Sequence, residues 1–183
     1  AETAIKGAAA VIVQLEIPLP AVQRALEIAR ANKVLTVVNP APVDAAVMDL
    51  LPLADLVTPN ETELMRLTGI EDLSDKSLIT GLNKLHKAGA RRALVTLGDQ
   101  GCATLISGQL VRQPAYKVDA VDATGAGDVF NGALVSRVVA GANIVDAMRY
   151  AAAAAALSVK KASADSAPQA EEVDALMAEQ PVA

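Results

Sequence analysis

The chain has 183 residues, 52% hydrophobic and 20% charged, with a formal net charge of −5 and a mean hydropathy of +0.34, a size suited to about one to one and a half domains. The acidic balance, with no basic stripe and only 2% aromatic residues, argues against a nucleic-acid partner. Much of the apolar content is alanine, no apolar run is long enough to span a bilayer, no secretion signal opens the chain, and the single Cys102 excludes an internal disulfide; a cytoplasmic protein without a membrane partner is expected.

In chain order the pattern alternates strand and helix. A β-branched run at 11–15 is a strand, and 21–31 carries helical spacing after Pro18 and Pro20. Residues 34–38 form the next strand, closed by Asn39-Pro40-Ala41-Pro42; 44–51 reads as a helix and 56–58 as a strand. A short helix over 61–68 ends at Gly69, and a longer one over 77–88 ends at Gly89. A strand at 93–97 precedes a hairpin of 102–106 and 110–114 around Ser107-Gly108. Helices over 126–140, 144–160 and 171–178 complete the chain. The alternation predicts an α/β fold: a doubly wound, mostly parallel sheet with helices on both faces, binding ligands beyond the C-terminal strand ends.

Residues 121–133 read Val-Asp-Ala-Thr-Gly-Ala-Gly-Asp-Val-Phe-Asn-Gly-Ala. Small residues at Gly125, Ala126 and Gly127 let backbone N–H groups approach a ligand and add to a helix N-terminus, which makes an anion seat. Asp128 at that positive end is placed to be ionised and to accept a proton. Taken alone, the same run is also a glycine turn before a helix with an acidic first turn. Likewise Asn60 and Glu63 form either a capping box or a pair facing phosphates through a water-bound Mg²⁺, and the two can hold together. His86 reads as a surface residue and Cys102 as a small buried one.

The thirteen-residue run resembles the second signature of the ribokinase family, the PfkB-type carbohydrate kinases, with Ala123 where relatives often carry Thr. Asn39-Pro40-Ala41-Pro42, Gln14-Leu15-Glu16, Asn60-Glu61-Thr62-Glu63 and Thr96-Leu97-Gly98-Asp99-Gln100-Gly101 are similar to further family segments. The resemblance covers essentially the whole of 1–183, as the nucleotide-binding and catalytic C-terminal portion without the N-terminal lid. It implies transfer of the ATP γ-phosphate to a sugar hydroxyl, D-ribose giving ribose 5-phosphate, or another sugar or nucleoside. A noncatalytic nucleotide-binding module is the other class.

By resemblance, Asp128 is the base and Gly125, Ala126 and Gly127 hold the transferring phosphoryl group. Asn60, Thr96, Leu97, Gly98, Asp99, Gln100, Gly101, Gly127 and Ala152 form the nucleotide set, with Asp99 and Gln100 turned to solvent. Glu16 joins Asp128 at the sugar. Glu63 serves Mg²⁺; Asp122, Thr124, Ser158, Lys161 and Ser163 serve K⁺, although Ser163 stands where relatives place Gly. Little activity is expected of this portion alone, and the full-length relative is expected to be a homodimer.

Overall fold

The structure is a computed structural model that describes residues 1–161 and 167–181. The described chain divides into two compact units, one of residues 1–97 with 103–111, the other of residues 98–102 with 112 onward.

In the first unit, β1 (Ala10–Val13), β2 (Leu35–Val38) and β3 (Leu56–Val57) run parallel, pairing Val13 with Val38 and Val38 with Val57. Single parallel bridges from Val57 to Ala93 and from Asn60 to Thr96 carry the register on to β4 (Leu94–Thr96). β2, β3 and β4 are short and largely buried, as parallel strands covered by helices must be, whereas in β1 only Val13 is buried and Ile12 is exposed. The crossovers are α2 (Leu19–Ala31), a 3-10 helix over Ala45–Leu53, and the pair α3 (Glu61–Thr68) and α4 (Asp75–Lys87). Leu26, Val38, Leu51, Val57, Leu64, Leu82 and Val95 meet in one core. β5 (Cys102–Ile106) and β6 (Gln109–Gln113) follow as a hairpin. Its turn places Ser107 and Gly108 at φ 51° and 81°, the paired left-handed geometry of a tight two-residue turn.

Two local readings change. Residues 44–51, expected as a helix, belong to a helix of 3-10 type that runs on through Pro52. Proline has no N–H to donate and disfavours α geometry at Leu51, and a period of three aligns Val47 and Leu50 toward the core. The helix expected from 77 begins at Asp75, because the Ser74 hydroxyl accepts from Ser77 N–H and sets the start earlier. A short helix, α1 (Glu2–Lys6), precedes β1.

In the second unit, α5 (Ala126–Val139) packs along α6 (Ile144–Ser158), and α7 (Ala170–Glu179) packs against α6. Ala151, Ala152, Ala153, Ala154 and Ala156 are buried on α6, and small side chains let neighbouring backbones approach closely. Val173 and Leu176 of α7 join Tyr116 and this alanine face in a second core. Cys102 is fully buried and its thiol is pushed up to about 12 by that burial, so it packs as a small apolar residue and is inert as a nucleophile. His86 is half-buried, its Nδ1 3.1 Å from the Ala90 carbonyl.

Candidate active site

The first unit gathers its polar residues at the C-terminal ends of consecutive strands. Leu15 N–H donates to the Ala41 carbonyl at 2.8 Å and Asn39 N–H to the Val13 carbonyl at 2.9 Å, which brings Gln14-Leu15-Glu16 beside Asn39-Pro40-Ala41-Pro42. The Ala41–Pro42 peptide is cis. Glu16 is exposed there, while Asn39 is buried. Thr58, 2% exposed, donates its N–H to the Val38 carbonyl; its hydroxyl has no hydrogen-bond partner among the described residues.

Two residues further on, Asn60 caps α3. Its side-chain oxygen accepts from Glu63 N–H, while Asn60 N–H and Nδ2 donate to the two Glu63 carboxylate oxygens, all at 2.9 Å. Glu63 is buried, and loss of hydration raises its carboxyl above the usual 4.5, partly offset by the Asn60 N–H. Thr96, at the end of β4, donates its N–H to the Pro59 carbonyl at 3.0 Å, so Thr96 and Asn60 stand side by side. Leu97 is buried in the core, leaving its backbone as the part able to face a ligand.

The second unit begins with a single 3-10 turn over Gly98–Gln100, its three residues exposed. Gly101 closes it at φ 89° with N–H to the Gly98 carbonyl at 3.1 Å. A Cβ at 101 would meet the Gln113 carbonyl oxygen at 2.0 Å, so only glycine lets these backbone segments cross.

The 121–133 run forms a loop and the head of α5. Gly125 is the N-cap, left-handed at φ 79° and without a side chain to cap the helix, whereas Asn60, Ser74 and Asn143 cap α3, α4 and α6. Gly127 is different: its φ is not positive and a Cβ there would meet nothing within 4 Å. The fold itself does not require glycine at 127. Asp128 is exposed in the first turn. Before the loop, Asp122 accepts from Thr124 N–H at 2.9 Å, and this bond together with the Thr124 side chain holds its carboxyl below the usual 3.8. Val121 and Asp122 N–H both donate to the Val159 carbonyl, at 2.7 and 3.1 Å, which joins the loop to the end of α6. A helix N-terminus capped by glycine, with an acid in its first turn, can seat an anion and take a proton beside it.

The sequence pattern of the pfkB family carbohydrate kinases matches residues 3–171. The chain belongs to that family. A ribokinase of Staphylococcus aureus is 43% identical over 176 residues, 95% of this chain and 58% of that protein. A ribokinase of Haemophilus influenzae is 38% identical over 165 residues, 90% of this chain and 54% of that protein. The solved structure of Arabidopsis thaliana ribokinase complexed with ribose and ATP superimposes with a TM-score of 0.87 at 31% identity, covering 96% of this chain and 58% of that one. The expected α/β fold is the one these neighbours have. The chain spans somewhat more than half the length of the curated relatives it matches.

The residues of this pfkB-family chain fit the expected cations unequally. Each Glu63 oxygen accepts one bond from Asn60 and keeps a second lone pair, which leaves it able to accept from a water bound to Mg²⁺. Among the described residues no group of three or more His, Cys, Asp or Glu is arranged to hold a metal; Mg²⁺ commonly takes most of its ligands from phosphate and water. Of the residues expected at K⁺, Asp122 and Thr124 are drawn to the end of α6 through Val159. Ser158 is buried, its hydroxyl donating to the Ala155 carbonyl, and its own carbonyl accepts from exposed Lys161 at 3.3 Å. Ser163 lies outside the described residues. Ala152, expected at the nucleotide, is buried with Tyr116 in the second core. Among the described residues no helix is long and apolar enough to cross a membrane.

Two features escaped the sequence reading. The unpartnered Thr58 hydroxyl has no local signature, and the Val159 carbonyl acts through its backbone, which no residue type announces.

Proposed function

We propose that the chain is the nucleotide-binding and catalytic part of an ATP-dependent sugar kinase whose substrate is D-ribose. The observation that carries this reading is the Gly125–Asp128 loop, a helix N-terminus capped by glycine with an acid in its first turn, in a chain of the pfkB family. Asp128 takes the proton of the sugar's 5-hydroxyl as that oxygen forms its bond to the γ-phosphorus. The bond between γ-phosphorus and the bridging oxygen breaks, and ADP leaves. Backbone N–H groups of Gly125 to Asp128 stabilise the charge on the transferring group, a contribution from preorganised dipoles. Mg²⁺, when bound, would neutralise phosphate oxygens, and Asn60 and Glu63 would hold it through water. Asp122, Thr124, Ser158, Lys161 and Ser163 would hold K⁺. The Thr96–Gly101 backbone lies against the nucleotide and Glu16 against the sugar.

Ribose is favoured because both curated relatives above are ribokinases. The chain spans 58% of the first relative's length, and we assign most sugar contacts to the remainder. The 183 residues alone therefore have little ribose-dependent turnover, and the complete protein acts as a cytoplasmic homodimer.

The test is ATP turnover with and without D-ribose, in Mg²⁺ and K⁺, for this chain and for a version extended upstream to the relatives' length. Ribose-dependent turnover in the extended version, reduced about 10²–10⁴-fold or more by Asp128→Asn with ATP affinity kept within a few-fold, supports the reading. Turnover with another sugar only would move the substrate. Loss of ATP affinity together with turnover would make Asp128 structural.

A further inference from the structure

The residues between β6 and α5 form neither strand nor helix, yet they are tied down at two points. Lys117 N–H donates to Gln180 Oε1 at 3.0 Å, and Gln180 Nε2 donates back to the Lys117 carbonyl at 2.9 Å. A primary amide carries the same donor and acceptor as a peptide group, so Gln180 pairs with Lys117 as a neighbouring strand would. Four residues on, the Val159 carbonyl holds Val121 and Asp122. So short a connection has little slack, since each residue spans at most about 3.3–3.6 Å.

Gln180 is itself firmly placed. Its N–H donates to the Leu176 carbonyl at 3.0 Å, and Val173 and Leu176 are buried against Tyr116 and the α6 alanines. Asp174 of α7 pairs with Arg137 of α5 at 3.4 Å, and that guanidinium lies 3.7 Å from the Tyr150 ring centroid. Tyr116, beside Lys117, accepts from Arg149 Nε at 3.2 Å. The helix that presents Gln180 is thus anchored to both helices behind the loop.

We propose that Gln180 is a positioning residue for the phosphate seat: by pairing with Lys117 it fixes the register in which residues 117–122 deliver Asp122, Thr124 and Gly125 to the head of α5. The consequence for nucleotide rests on the function proposed above; the mechanical coupling does not. A Gln180 that merely fastened the end of α7 would influence nothing beyond Lys117.

Hydrogen exchange of the ligand-free 183-residue chain separates these cases. Gln180→Ala should accelerate exchange at Lys117, Val121, Asp122 and Val129 about tenfold, the scale of losing a pair of ordinary hydrogen bonds. Gln180→Glu keeps the acceptor and loses the donor, so it should fall between the two. Val37 and Val57 in the first unit's sheet serve as controls and should not move. Acceleration confined to Lys117 and the end of α7 overturns the proposal. Calorimetry then measures ATP affinity, with about a tenfold loss expected in Gln180→Ala and a smaller one in Gln180→Glu. Unchanged affinity alongside accelerated exchange would also overturn the positioning role. If the wild-type chain binds no ATP, the phosphate reading fails instead, and exchange at Val121 and Asp122 still decides whether Gln180 positions them.

Discussion

Asn60 and Glu63 hold each other by three hydrogen bonds of 2.9 Å, the Asn60 side-chain oxygen taking the Glu63 N–H while Asn60 gives both its N–H and its Nδ2 to the Glu63 carboxylate. A helix start and a buried carboxylate are thereby built from one pair, at the end of a central strand.

That carboxylate makes stability depend on pH in a direction opposite to most acids. Burial raises its folded value above 4.5, so the folded chain binds this proton more tightly than the unfolded chain. Its contribution is most favourable below 4.5 and declines as pH rises from there through the folded value. Glu63→Gln should abolish that decline, so the stability difference between variant and wild type should shift in the variant's favour across this window. Urea denaturation of both chains from pH 4 to 7 measures it; a constant difference would show that Glu63 titrates normally. Asn60→Ala should cost about 1 kcal/mol for the lost cap, with further loss from the stranded carboxylate.

Glycines 101 and 127 should respond oppositely to alanine. At 101 the new methyl carbon meets backbone of Gln113, Pro114 and Ala115 at 2.0–2.6 Å, with φ at 89°. Gly101→Ala should destabilise by about 3 kcal/mol or more, read as a large fall in melting temperature. At 127 nothing lies within 4 Å, and Gly127→Ala should stabilise α5 by about 0.5–1 kcal/mol. The same variant should lose about tenfold or more in ATP affinity, because the methyl intrudes where phosphate oxygens approach backbone. Tighter folding with unchanged affinity would remove Gly127 from the seat.

Thr58 carries a buried hydroxyl without a partner among the described residues, and such a group costs about 1–3 kcal/mol. Thr58→Val keeps the shape and removes the polar atom. The variant should be more stable by about 1 kcal/mol, measured from the urea midpoint. A less stable variant would mean that an ordered water satisfies the hydroxyl.

Features decided within a few residues were legible in the sequence. Asn60 and Glu63 are three apart, so their capping box could be named from residue types, and Gly69 closes α3 at φ 67° as its position suggested. Ser107-Gly108 announced a tight hairpin, and the 121–133 run announced a loop feeding a helix. A helix at 44–51 was legible too, but its 3-10 form, running on through Pro52, was not. Tertiary structure alone decided the rest. Gln180 and Lys117 are 63 positions apart, and the Val159 carbonyl meets Val121 and Asp122 only because α6 returns alongside α5. Burial of Glu63, exclusion of Ala152 from the surface and the orphaned Thr58 hydroxyl follow equally from what packs around them. Short-range hydrogen bonds and φ preferences are written in adjacent residue types, whereas desolvation and backbone-to-backbone ties depend on which distant segments the folded core brings together.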